Sequence, residues 1–105
     1  MANYQKFLTK ADEKKLPPLY AQDGKGMEAI AFVKFFTPWT SFTWYATEFD
    51  GEDTFFGLVD TGTEKELGYF SKTELQSIRG NWGLKIERDM YFTPKKLSEL
   101  RIGVD

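Results

Sequence analysis

The chain has 105 residues, a length that fits one domain around one core. Its net charge of −2 argues against a general nucleic-acid binder. The lack of any Cys or His excludes disulfides, thiolate nucleophiles, Cys- or His-liganded metals and Ser-His-Asp catalysis.

In chain order, Thr9 is placed to cap a first helix, with Asp12 at its positive end, and Leu16-Pro17-Pro18 stops it. The stretch from Gln22 to Gly26 reads as a loop. A first strand is expected from Glu28 to Phe36, with Ile30 and Phe32 on one face and Ala29, Ala31, Val33 and Phe35 on the other. A second strand runs from Ser41 to Phe49, and Asp50-Gly51 marks a hairpin, since glycine tolerates the positive φ of such turns. Thr54–Val59 and Glu66–Phe70 supply two more strands. Ser71 and Glu74 match a capping box for a second helix ending at Gly80. A short fifth strand is expected from Leu84 to Glu87, and Thr93-Pro94 opens a third helix with Leu97 and Leu100 facing the core.

Short links between successive strands favour antiparallel pairing of neighbours. The expected architecture is therefore α+β, a single domain over 1–105. It is an antiparallel β-meander of four to five strands with three short helices packed against it. The N-terminus lacks a signal-peptide run. The longest apolar stretch, Ala29 to Val33, is far below the ~20 residues of a membrane span. A cytoplasmic location without membrane contact is the expectation.

Two groups of residues could carry function. Aromatic residues make up 17% of the chain, more than a small core easily hides, so either the sheet is packed with rings or some rings line a groove or a partner surface. Trp39, Trp44 and Tyr45 near one hairpin, and Trp82 in the glycine-flanked loop Gly80-Asn81-Trp82-Gly83, are the candidates for partner binding. The competing reading places them in the core. The second group is acidic. Glu48, Asp50, Glu52 and Asp53 surround the hairpin at Gly51 and could hold Mg²⁺ or Mn²⁺ or act as acid and base, if they converge. The competing reading is that they decorate a solvated turn. Base stacking on exposed rings would need basic neighbours, of which Lys34, Lys85 and Arg88 are the best placed.

The runs Leu16–Tyr20, Lys34–Pro38, Thr43–Tyr45, Glu48–Val59, Glu66–Ser71 and Ile86–Asp89 together resemble a bacterial domain-of-unknown-function family, numbered 2958. The resemblance spans about Leu8 to Leu100 and names no catalytic residue and no cofactor. It implies a small protein of plasmids, conjugative elements and phages, with a counter-defence or regulatory role exerted on a host or element-encoded protein. The leading expectation is a non-enzymatic protein-interaction module. A carboxylate- or metal-dependent hydrolase and a single-stranded nucleic-acid binder are the alternatives.

Overall fold

The computed structural model describes residues 6–100. Helix α1, Lys10–Lys15, starts at a full capping box: Thr9 Oγ1 accepts from the Asp12 N–H, and Asp12 accepts from the Thr9 N–H. Strands β1, Ile30–Ala31, and β2, Val33–Phe36, are followed by β3, Thr43–Phe49, β4, Thr54–Asp60, and β5, Lys65–Ser71. Helix α2, Lys72–Ser77, follows directly, and the short strands β6, Glu87–Arg88, and β7, Lys95–Lys96, complete the order. The main sheet is antiparallel and five-stranded, β5-β4-β3-β2-β6, and β1 pairs with β7 in a second, two-stranded sheet. The architecture is α+β, as the alternation and turn residues predict.

The expected first strand is broken. Pairing stops at Phe32, so Ala31 lies in one hydrophobic cluster and Val33 in another, although an unbroken strand would put them on one face. Splitting the strand lets its first half leave the main sheet and pair with β7. The expected third helix is also absent among the described residues, which hold two α-helices. Lys95 and Lys96 are drawn into pairing with Ala31 and Ile30, and only a 3₁₀ turn, Leu97–Glu99, follows. Tertiary pairing overrides the local proline signal there, yet Leu97 and Leu100 are buried as their pattern required. Helix α2 stops at Ser77 instead of Gly80, because Ile78 is already extended.

The sheet separates two hydrophobic clusters. On one face Val33, Phe35, Trp44, Ala46, Phe49 and Phe55 pack with Leu8, Leu16, Leu75 and Ile86. Phe55 is the hub, with its ring against those of Phe35, Phe49 and Phe70 at centroid distances of 5.5, 4.5 and 5.3 Å. On the other face Tyr45 and Leu58 are covered by Ala29, Ala31, Leu97 and Leu100, with Phe92 at the margin. This second cover is partial, because the residues that form it reach Tyr45 and Leu58 but leave β5 and the Phe56 end of β4 uncapped. Phe56 is only half-buried there, and Leu67 and Tyr69 are exposed.

A candidate binding cleft on the open sheet face

The structure separates the aromatic candidates. Trp44 and Tyr45 are core residues, 7% and 1% exposed, and do not form a partner surface. Strand alternation sends one ring into each hydrophobic cluster. Trp39 is half-buried against the first cluster, and its ring lies over Gly80, where an added Cβ would collide with it. Trp82 stands out at 97% exposure, in left-handed backbone with φ 64°. A bulky residue pays a conformational cost there of roughly 1–2 kcal/mol, and no packing of the ring offsets it. Trp82→Ala should therefore leave stability within about 0.5 kcal/mol of wild type in a denaturant titration.

The acidic candidates do not converge. No group of three or more Asp or Glu side chains among the described residues is placed to hold a metal ion. Asp50 Oδ1 accepts the backbone N–H groups of Glu52, Asp53 and Thr54 and so closes the β3–β4 turn, while Glu52 is exposed. Asp53 ties that turn to the start of α2. Its carboxylate accepts the Ser71 hydroxyl at 2.6 Å, the Thr73 hydroxyl at 2.5 Å and the Thr73 N–H at 2.8 Å. Ser71 Oγ in turn accepts the Glu74 N–H, so the helix cap runs through Asp53 and not through Ser71 alone.

These bonds favour the ionised carboxylates. The Ser71 and Thr73 donors hold Asp53 below the usual carboxylate range, and the Glu52 and Asp53 N–H groups do the same for Asp50. A carboxyl with a lowered folded pKa stabilises the fold above the unfolded Asp pKa of about 3.9. That contribution disappears as pH falls through the folded value. The melting temperature should hold steady from neutral pH to about 5 and then fall. Asp53→Asn should flatten part of that acid limb when melting curves are compared between neutral and acidic pH.

Glu48 is different. Its side chain is buried, 3% exposed, and is joined to the loop after α1. Oε1 accepts the Tyr20 N–H at 2.8 Å and Oε2 the Gln22 N–H at 2.7 Å. Gln22 continues the network: its amide donates to the carbonyls of Ile30 and Thr47 and accepts the Ile30 N–H. A bulge makes this possible. The β3–β4 register shifts between Ala46 and Glu48, and this places Glu48 opposite Phe56 on the open face. Turning its N–H toward Glu48 leaves Tyr20 in left-handed backbone, φ 74°, strain that persists because the network around it fixes the loop.

The result is a cleft of about 370 Å³ between the braced loop and the open sheet face. Tyr20, Asp23 and Gly24 form one wall, Ala29 and Leu97 another, and Phe56, Leu67 and Tyr69 the floor. Tyr69 meets Phe56 edge to face at 4.9 Å. Its phenol is pushed above the usual tyrosine range, first by a hydrogen bond with Tyr20, then by burial and the negative charges of Glu48 and Asp23.

Residues 5–100 match the family model described as a protein of unknown function, DUF2958. The chain belongs to DUF2958. Neither the curated proteins nor the solved structures returned a match. The cleft of this DUF2958 chain draws on segments that local reading leaves apart, since Tyr20 and Gln22 meet Glu48 across 28 and 26 positions. One signal for it was local. Leu67 and Tyr69 alternate with Gly68 and Phe70, so β5 carries apolar side chains on both faces, and only one of those faces is covered by the first cluster.

Two of the three basic residues that base stacking would need are committed elsewhere, while Lys85 is exposed. Lys34 is buried beside Asp89 at 3.7 Å and lies over the Tyr45 ring. Arg88 pairs with Asp12 at 3.3 Å.

Proposed function

We propose that this DUF2958 protein is a non-enzymatic protein-interaction module whose binding surface is the cleft on the open sheet face. The observation that carries the reading is the meeting of Tyr20, Phe56, Leu67 and Tyr69 around a preformed hollow. Tyrosines at such a rim offer apolar area with a polar tip, the chemistry enriched at binding hot spots. The volume suits one or two apolar or aromatic side chains of a partner. Glu48 and Asp23 add negative charge beside the rings, so the matching partner segment carries an apolar anchor next to Lys or Arg. Of the two carboxylates at this cleft, Glu48 is occupied at both oxygens by backbone donors, which leaves Asp23 without a second carboxylate to act as its acid or base partner. In the mobile-element setting that the family resemblance implies, the partner is a host or element-encoded protein met in the cytoplasm, and the outcome is counter-defence or regulation.

The test is capture from nuclease-treated bacterial lysate by tagged wild type, by a Tyr20→Ala/Tyr69→Ala double variant and by Trp82→Ala. The reading expects one protein retained by wild type and by Trp82→Ala and lost with the double variant. Equal capture by all three chains, or capture that nuclease abolishes, would overturn it.

A further inference from the structure

The outer edge of β5 is the other feature that the fold leaves unused. β5 is seven residues long, Lys65–Ser71, pairs with β4 in unbroken register, and has no strand on its other side among the described residues. It carries no proline and no bulge, two of the devices that blunt an edge, and its charges, Lys65 and Glu66, are confined to one end. The opposite edge of the sheet, β6, is blunted by being two residues long.

The orientation of the β5 backbone follows from its two ends. Lys72 N donates to Asp53 O at one end, and Thr61 N donates to Glu64 O at the other. Both contacts continue the β4–β5 register, so the even-numbered residues direct their backbone groups to β4. Lys65, Leu67, Tyr69 and Ser71 therefore direct theirs outward.

We infer that this edge pairs with the same edge of a second copy, antiparallel about a two-fold axis at Gly68. That register uses the whole strand: Lys65 faces Ser71 of the second copy, Leu67 faces Tyr69, and Gly68 faces Gly68. Its charges are complementary, because Glu64 falls opposite Lys72 and Glu66 lies diagonal to it. Shifting the axis toward Lys65 sets Lys72 opposite a glycine and loses this match. The Leu67–Tyr69 contacts lie on the cleft side, so two clefts would join into one continuous apolar groove. A net charge of −2 offers little repulsion between copies. The inference does not depend on what the cleft binds.

The chain has no cysteine, which permits a direct test. In the inferred register Gly68 and its copy form a non-hydrogen-bonded pair with Cα atoms about 4.5 Å apart, within disulfide reach. An added Cβ at Gly68 meets open space. Sedimentation of the wild-type chain should give twice the monomer mass. Gly68→Cys should form a disulfide-linked dimer under mild oxidation. Glu66→Cys should not, because its two thiols lie four positions apart along the strands, about 13 Å. A wild-type chain that stays monomeric at high concentration would overturn the inference, as would a dimer in which Gly68→Cys fails to cross-link or Glu66→Cys cross-links equally.

Discussion

Gly57→Ala is expected to lower stability by about 3 kcal/mol or more, the scale of forced overpacking in a closed interior. An added Cβ at Gly57 would collide with the carbonyl oxygen of Tyr45 and sit 3.1 Å from Ala46 Cα. Both obstacles are β3 backbone, and no rotamer change can relieve them. The crowding sits beside the bulge, where Ala46 pairs with Gly57 but Glu48 pairs with Phe56. β3 would have to move away from β4 in the centre of the sheet, between the two hydrophobic clusters. For a domain of this size the melting temperature should fall by roughly 12–24 °C. Gly68, directly opposite on β5, is the control. A Cβ there meets nothing within 4 Å, so Gly68→Ala should change stability little. Paired thermal melts of the two alanine variants decide whether glycine is needed for close approach at 57 alone.

Glu48→Leu should cost roughly 3–6 kcal/mol, since hydrogen bonds to charged groups are worth about 1.5–3 kcal/mol each and two donors lose their acceptor. The affected donors are the Tyr20 and Gln22 N–H groups, and the Gln22 N–H lies in a buried contact. Without Glu48 the Tyr20 N–H loses its acceptor and only the Asp23 N–H to Tyr20 carbonyl bond remains on its backbone, so the loop wall of the cleft should relax. Amide hydrogen exchange should speed up across residues 20–26 while β4 and β5 keep their protection. An unchanged exchange rate in that loop would show that Glu48 is not the brace. The result also separates a structural carboxylate from a catalytic one, because a catalytic Glu can be replaced without loosening its surroundings.

What the sequence made legible was local chemistry. Thr9 with Asp12 and Ser71 with Glu74 announced both α-helices, since a cap is written within four residues. Asp50-Gly51 announced the β3–β4 turn, and Gly51 takes φ 88° there. The break at Phe32 and the loss of a helix at Pro94 escaped because both follow from one distant event, the pairing of Ile30–Ala31 with Lys95–Lys96. Asp53 was readable as a turn acid but not as the cap of α2, which depends on Ser71 and Thr73 arriving 18 and 20 positions later. The candidate site suffered most. Trp44 and Tyr45 drew attention as rings although strand alternation buries both. Tyr69 carried a local mark in the apolar alternation of β5, but Tyr20 carried none, and the Glu48–Gln22 network sets it beside the sheet. Glu48 was singled out for its charge beside the hairpin, and in the fold that charge braces the Tyr20–Gln22 loop.

The most direct measurement of the central claim is hydrogen–deuterium exchange of the protein with and without its captured partner, at one protein concentration. Binding at the cleft should add protection in residues 20–26 and around Phe56 and Tyr69 and leave the Trp82 loop unchanged. Protection confined to the Trp82 loop, or none at the cleft, would contradict it.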